Sequence, residues 1–211
     1  MDSKNFSYSA IWLLAIMTVS FAAQSFIPGF TEIFVLNSSK VFSEPWRLVT
    51  AIFLHGSIVH LLMNSFALFL FGLILEKEIG TKKFLMLFFA SGITASFGAA
   101  LFYPSSLGAS GAIYGILGML GVLRPGMTVW VSYVPMPMAI AIVVWAVIDL
   151  FGFLVPSNIA NAAHLSGLFL GVVIGLLYRK IYPKPKTTKR TPLSNHEEEE
   201  LDDYERSSGL R

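Results

Sequence analysis

The sequence predicts an all-α fold, in the form of a polytopic membrane protein with a bundle of six transmembrane helices. Of the 211 residues, 55% are hydrophobic and only 13% are charged, and the mean hydropathy is +0.67. This composition is too apolar for an ordinary soluble domain. Six apolar stretches are each long enough to cross about 30 Å of hydrocarbon. The Lys and Arg residues are also distributed unevenly between the connecting segments, as in membrane proteins of fixed orientation.

Each apolar stretch ends at residues that terminate a helix, either proline and glycine or a group of charges. The stretches fall at 10–27, 51–75, 84–103, 108–123, 137–155 and 160–178. Their ends are marked in turn by Pro28-Gly29, Glu76-Lys77-Glu78, Tyr103-Pro104, Arg124-Pro125-Gly126, Val155-Pro156 and Arg179-Lys180. The first stretch is long for the core of a signal peptide and lacks a small-x-small cleavage site, so we interpret it as a retained helix.

The positions of the basic residues predict the orientation of the bundle. With the N-terminus inside, thirteen of the fifteen Lys and Arg residues fall in inside segments, and only Lys40 and Arg47 fall outside. The positive-inside rule therefore predicts that both termini are cytoplasmic. The predicted core has six helices and no extra helix, and we predict the plasma membrane of a prokaryote as its location.

Two segments outside the helices have distinct compositions. Residues 28–50 form a long outer connection with aromatic residues suited to the headgroup layer. From residue 183 onward the chain is polar, with a basic cluster followed by the acidic run Glu197 to Glu200. We therefore predict a membrane domain at 1–182 and a disordered, solvated cytoplasmic tail at 183–211.

The composition also argues against several classes of function. The net charge of +2 is small, and basic and aromatic residues do not alternate as in a nucleic-acid groove. The chain contains no cysteine, so a thiolate nucleophile and sulfur-based zinc sites are ruled out. His55 and His60, at a spacing of i and i+5, do not share a helical face well, and Asp149 is the only acid near them in depth. We therefore predict no nucleic-acid partner, no metal and no cofactor.

Polar residues within the predicted helices lie at similar depths. At 1.5 Å per residue, Ser110 and His164 are each about 21–23 Å from the cytoplasmic ends of their helices. On the second helix, His60 and Asn64 are about 24 and 18 Å from that side by the same measure, and they share one helical face. Since polar residues within a membrane are costly and usually functional, this layer is the candidate site.

Glycines predict that the fourth and sixth helices pack closely. Gly111 and Gly115 form a small-residue face, and Gly167 lies one turn from His164 on the same side. This packing would bring the imidazole to the serine hydroxyl, as proton transfer requires. Ser110 also begins a helix, where free N–H groups favour a developing oxyanion.

In these motifs the chain resembles the rhomboid family of intramembrane serine proteases. The resemblance covers roughly residues 10–178. It rests on Gly108-x-Ser110-Gly111, on Ala163-His164-x-x-Gly167 and on His60-x-x-x-Asn64, and it extends to Trp46-Arg47, His55, Glu76 and Tyr114.

The resemblance implies a catalytic mechanism and a class of substrate. His164 would deprotonate Ser110, which would attack a peptide carbonyl to form an acyl-enzyme. His60, Asn64 and the Ser110 amide would bind the oxyanion, and Tyr114 would stack on the histidine. Gly108, Gly111 and Gly167 would support the site, and the family requires no acid beside its serine–histidine dyad. The substrates implied are single-pass transmembrane proteins, cut near the outer face of the lipid bilayer.

Further residues resemble the family less directly. The fifth helix, with Pro135, Pro137 and Trp145, and the loop at 153–158 resemble the family's lateral gate and cap. Ser166 stands where the family often has a second glycine, and we expect it to be tolerated.

Each of these residues also has an ordinary structural interpretation. Ser110 could bond within its own helix, His164 could serve helix packing, and His60 and Asn64 could join helices. Asp149 is expected to cap a helix or to form a hydrogen bond between helices, with a catalytic role as the alternative. For the whole chain, the alternatives are a rhomboid-like protein that binds membrane segments without cutting them, and a transporter or channel. The latter is disfavoured because the chain has no internal repeat.

Overall fold

The computed structural model describes residues 7–155 and 159–182, and the single residues 200, 203, 206 and 207. The described residues up to Ile181 belong to one compact unit, and a second unit begins at Tyr182. Most of the predicted polar tail lies outside the described residues, as does part of the predicted cap at 153–158.

The compact unit is mostly helical. Its helices are α1 (Ser9–Phe26), α2 (Phe30–Phe34), α3 (Arg47–Thr50), α4 (Ile58–Ala67), α5 (Leu73–Ile79), α6 (Thr81–Phe102), α7 (Ser110–Leu123), α8 (Met138–Phe153) and α9 (Asn161–Ile181). A π-helical segment, Leu68–Gly72, joins α4 to α5 in one continuous helix, Ile58–Ile79. In the described part of the chain, four helices are long and apolar enough to cross a membrane: α1, α4–α5, α6 and α9. Two further apolar helices, α7 and α8, are shorter.

The second predicted stretch begins later than the sequence indicated. Hydropathy placed its start at residue 51, whereas α4 begins at Ile58. Residues Ala51–Phe53 instead form a 3-10 helix directly after α3. The Ser57 hydroxyl then caps α4 by accepting a hydrogen bond from the His60 N–H at 3.1 Å. An apolar run of this kind does not distinguish one long helix from two short ones separated by a turn.

Glycines allow α7 and α9 to pack backbone against backbone. A Cβ added at Gly167 would lie 2.0 Å from the Gly111 carbonyl oxygen, and one at Gly171 would lie 2.0 Å from the Gly115 oxygen. No larger residue fits at such distances, so these positions permit the close approach of the two helices. The predicted glycine contact between the fourth and sixth helices is therefore present.

The helix α6 packs against both α7 and α9 through small residues. A Cβ at Gly111 would lie 2.2 Å from the Cβ of Ala95, and one at Gly98 would lie 2.1 Å from the Ser166 hydroxyl. Ser166 itself donates to the Ala162 carbonyl at 2.7 Å. The Ser166 side chain, which we expected to be tolerated, is thus accommodated opposite a glycine of α6.

The prediction of an all-α fold is confirmed in that the described residues are mostly helical, but they also contain four short strands. β1 (Leu36–Asn37) pairs with β2 (Ser105–Ser106), and β3 (Thr128–Val131) pairs with β4 (Val134–Pro137). The β3–β4 hairpin turns at Ser132 and Tyr133, which both have positive φ. Its strand β3 alternates between exposed and buried residues, as a strand with one buried face does.

Arg47 organises the connection between α1 and α4. Its side chain is buried and donates to the carbonyl oxygens of Glu32 at 2.7 Å and Val35 at 2.8 Å. It also pairs with the Glu44 carboxylate. These contacts hold the connection against the start of α3.

Candidate active site

Ser110 is the first residue of α7, at the end of the connection from α6. Gly108 adopts a φ of +123°, which a residue with a side chain rarely tolerates, and its N–H donates to the Ala51 carbonyl at 2.9 Å. The loop is therefore fixed before the helix begins. Since the N–H groups in the first turn of a helix have no partner within it, the backbone around Ser110 provides hydrogen-bond donors.

The Ser110 hydroxyl and the His164 imidazole form a hydrogen bond between α7 and α9. The distance from Ser110 Oγ to His164 Nε2 is 2.7 Å, within the range for proton transfer. Gly111 and Gly167 flank the two residues and allow their helices to approach. The two residues that the sequence placed at equal depth are thus in direct contact.

Two further side chains contact the imidazole. The Tyr114 ring lies parallel to it, with centroids 4.4 Å apart and an interplanar angle of 14°. On the opposite side from the serine, His164 Nδ1 lies 2.9 Å from Asp149 Oδ1. The Asp149 residue is 3% exposed. The hydrogen bond between α8 and α9 that we expected of Asp149 is present, and its partner is the candidate base.

His60 and Asn64 lie on α4, on the other side of the loop that precedes Ser110. The Asn64 amide donates one N–H to the His60 carbonyl at 3.0 Å, and an amide has a second N–H available. A Cβ added at Gly108 would lie 2.7 Å from the His60 Cε1 atom. The imidazole of His60 therefore packs directly against the glycine that precedes the serine.

His55 and His60 are in contact, although their spacing predicted that they would not share a helical face. Their ring centroids are 5.0 Å apart and the rings meet at 67°, in an edge-on arrangement. The helical spacing used in the prediction does not apply, because His55 precedes the first residue of α4. Burial and, to a lesser extent, the charge of His60 together lower the pKa of His55 to about 4. Within the described part of the chain, no three His, Asp or Glu residues are grouped as a metal site would require.

A cavity of about 1060 Å³ lies between the residues of the candidate active site. Its walls include Ser110, His164, His60 and Asn64, together with Tyr114 and the fifth-helix residue Trp145. Pro135 and Pro137, which were grouped with Trp145 in the sequence, lie instead in β4. The cavity is large enough for a peptide segment and water beside the serine.

The contact of Asp149 with His164 was not predicted from the sequence. The sequence indicated that Asp149 lies near the depth of Ser110 and His164, but it did not identify its partner. The partner depends on how α8 is rotated against α9, which a single sequence does not specify. The similar depth of Asp149 and His164 was the one signal that could have suggested the pair.

Comparison with known proteins identifies relatives for most of the membrane unit. A protein-family model described as "Rhomboid domain" matches residues 43–181. The chain is 41% identical over 138 residues to "Rhomboid protease GluP" of Bacillus subtilis, and 38% identical over 143 residues to "RHOMBOID-like protein 4" of Arabidopsis thaliana. It is also 31% identical over 166 residues to "Rhomboid protease GlpG" of Yersinia pseudotuberculosis.

These matches cover more of this chain than of its relatives. They include 64%, 66% and 78% of this chain, respectively. They include only 26%, 36% and 57% of the three relatives. The family-model match at residues 43–181 lies within the helical unit and includes the candidate site.

Proposed function

Because the chain belongs to the rhomboid family and is a multi-pass membrane protein, we propose that it is an intramembrane serine endopeptidase with a Ser110–His164 dyad. The observation that carries this proposal is the 2.7 Å hydrogen bond between Ser110 Oγ and His164 Nε2. Serine is a weak nucleophile at neutral pH and needs an adjacent base of this kind. A serine that served only packing would not require an imidazole at this atom.

In the proposed reaction, His164 Nε2 takes the hydroxyl proton while Ser110 Oγ bonds to the carbonyl carbon of the substrate. The tetrahedral intermediate collapses when His164 gives that proton to the leaving nitrogen and the C–N bond breaks. Water then attacks the acyl-enzyme, with His164 again acting as base, and the product acid is released.

The oxyanion would be bound by donors on two helices. The Ser110 amide at the start of α7 is one, and the side chains of His60 and Asn64 on α4 are the others. Both side chains line the cavity that contains Ser110. Donors that are already in place when charge develops usually contribute the largest part of catalysis.

The orientation proposed has both termini and the basic ends of the helices in the cytoplasm, with α1, α4–α5 and α6 to α9 as six transmembrane segments. Lys83 at the start of α6 lies 5.1 Å from the ring centroid of Tyr178 near the end of α9. Arg124 at the end of α7 pairs with Glu78 at the end of α5. These contacts gather basic residues at one end of the bundle, which supports that end as the inside. Ser110 then lies towards the outer face of a prokaryotic plasma membrane.

The substrates proposed are single-pass membrane proteins, cut where their transmembrane segment unwinds near the outer face. The cavity is lined by apolar residues of the second membrane helix, including Met63 and Phe71, and by Trp145 of α8. A substrate helix would enter from the bilayer past these residues. A backbone in helical form hides its carbonyl groups, so unwinding must precede attack.

Reconstitution tests the proposal directly. The parent protein, Ser110→Ala and His164→Ala are placed in liposomes with a generic single-pass substrate, and cleavage is followed by gel and mass spectrometry. We expect cleavage by the parent and its loss in both variants. A parent that binds several substrates and cuts none would instead favour a rhomboid-like binding protein, and cleavage by the variants would contradict the assignment of the dyad.

A further inference from the structure

Asp149 is the third side chain in contact with His164, beside Ser110 and Tyr114. We propose that Asp149 is a positioning residue that converts the Ser110–His164 dyad into a Ser–His–Asp triad. This inference rests on the proposed function. It is drawn from the 2.9 Å contact between Asp149 Oδ1 and His164 Nδ1, on the side of the imidazole opposite Ser110.

The contact would select the reactive form of the imidazole. For Nε2 to accept the serine proton, the neutral ring must carry its own proton on Nδ1. A carboxylate at Nδ1 accepts a hydrogen bond from that N–H and cannot donate one, so it favours this tautomer. A free imidazole divides its population between two tautomers, and the ring can also rotate away from the serine.

The same carboxylate would stabilise the charge that develops on the ring. When the proton leaves Ser110 Oγ for His164 Nε2, the imidazole becomes a cation while the serine oxygen bonds to the carbonyl carbon. Asp149 remains ionised throughout and only holds the Nδ1 hydrogen bond. The proton then passes from Nε2 to the leaving nitrogen, and the ring is neutral again.

The surroundings of Asp149 argue against a purely packing role. The residue is 3% exposed on an otherwise apolar helix, and its second oxygen, Oδ2, has no hydrogen-bond partner among the described residues. A buried acceptor without a partner is destabilising. A hydrogen bond that served only to join α8 to α9 could be made by a neutral side chain at lower cost.

Tyr114 adds to the same cluster. Its ring stacks on the face of the imidazole whose edge contacts Asp149. The close approach of α8 to the start of α9 holds the cluster together, since a Cβ at Gly152 would lie 3.0 Å from the Asn161 side-chain amide. The imidazole is thus held by Tyr114 of α7 against the face of its ring and by Asp149 of α8 at its edge.

Steady-state kinetics of Asp149→Asn and Asp149→Glu in liposomes test the role. We expect kcat to fall roughly 10- to 1000-fold in Asp149→Asn, with KM changed less than about 3-fold, because only proton transfer is impaired. Asp149→Glu, which keeps the carboxylate, should recover part of kcat. Ser166→Ala is the matched control, because among the described residues this hydroxyl of α9 donates within its own helix, to the Ala162 carbonyl.

Labelling of Ser110 by a fluorophosphonate gives a readout that is independent of the peptide substrate. The labelling rate should fall in Asp149→Asn in parallel with kcat, after normalisation to the folded fraction measured by thermal unfolding. If Asp149→Asn does not fold, Asp149→Ala is assayed with and without formate, a small carboxylate that should raise its rate where chloride does not.

The outcomes separate this inference from the function on which it rests. If the parent cuts and is labelled, but the Asp149 variants match it in kcat or lose activity only in proportion to their folded fraction, the triad is contradicted and the dyad stands. If the parent is neither active nor labelled at Ser110, the proposed function fails and the triad fails with it.

Discussion

At the scale of single residues, the site depends on a glycine as much as on its polar groups. Gly108 has a φ of +123° and leaves no room for a Cβ beside His60. The glycine therefore sets both the path of the chain into Ser110 and the position of an imidazole that we assign to the oxyanion site.

We predict that Gly108→Ala lowers kcat on the order of 10- to 100-fold, because the new methyl group displaces His60 and strains the loop. The measurement is substrate cleavage in liposomes at saturating substrate. Gly126→Ala is the control, since a Cβ there meets no atom within 4 Å. Equal activity of the two variants would show that the position of His60 does not affect catalysis.

A second residue-scale prediction concerns Glu44 in the connection between α1 and α4. Hydrogen bonds from Arg47 and, to a lesser extent, from Lys40 lower the pKa of the Glu44 carboxyl below its ordinary value of 4.5. Its contribution to stability is complete above the pKa of the unfolded chain and is lost as the pH falls through the lower pKa of the folded state.

We therefore predict that, at neutral pH in detergent, Glu44→Gln has a lower melting temperature than the parent. The difference should narrow as the pH falls through the lowered pKa of Glu44, below which its carboxyl is neutral like the amide of the variant. A difference in melting temperature that stays constant from neutral to acidic pH would contradict the assigned ion pair.

At the scale of helices, the central contact is that of α7 with α9. It aligns Ser110 with His164 only because glycines let the two backbones meet. The sequence was sufficient to predict this contact, since the glycines recur at helical spacing and the depths of both residues follow from the helical rise.

We predict that Gly171→Ala destabilises the protein by about 1–3 kcal/mol, because its methyl group would collide with the Gly115 carbonyl and force α7 away from α9. Thermal or denaturant unfolding in detergent, compared with Gly126→Ala, measures the effect. An unfolding curve that matches the control would mean that the two helices are not held as closely as described.

Other features of the helices were beyond sequence-based reasoning, each for a physical reason. The start of α4 at Ile58 depends on the Ser57 cap and a preceding 3-10 helix, which an uninterrupted apolar run does not reveal. The contact of His55 with His60 could not be predicted from helical spacing, because His55 precedes the first residue of α4. The partner of Asp149 depends on the rotation of α8, whose hydrophobic residues lie on all of its faces and so give no periodic signal.

At the scale of the whole molecule, a second polar cluster joins the helices at the end of the bundle opposite the site. The Glu76 carboxylate is fully buried and accepts hydrogen bonds from the Ser9 N–H, the Ser9 hydroxyl and the Ala10 N–H at 2.8–3.1 Å. It also accepts one from the Thr81 hydroxyl at 2.7 Å. One side chain thus links the starts of α1 and α6 to the end of α5.

We predict that Glu76→Ala lowers the free energy of unfolding by about 2–4 kcal/mol, since several buried donors lose their charged acceptor. Glu78→Ala is the control, because its partner Arg124 has a side chain that is 50% exposed, and surface ion pairs contribute about 0–1 kcal/mol. The comparison uses unfolding in detergent. Equal stability of the two variants would contradict the linking role of Glu76.

The most direct test of the account is a double-mutant cycle on Ser110 and His164. Cleavage rates in liposomes are measured for the parent, Ser110→Ala, His164→Ala and the double variant. If the two residues act as one unit, the double variant should lose no more activity than either single variant. Losses that multiply, or a His164→Ala variant that keeps the activity of the parent, would contradict a dyad in which His164 activates Ser110.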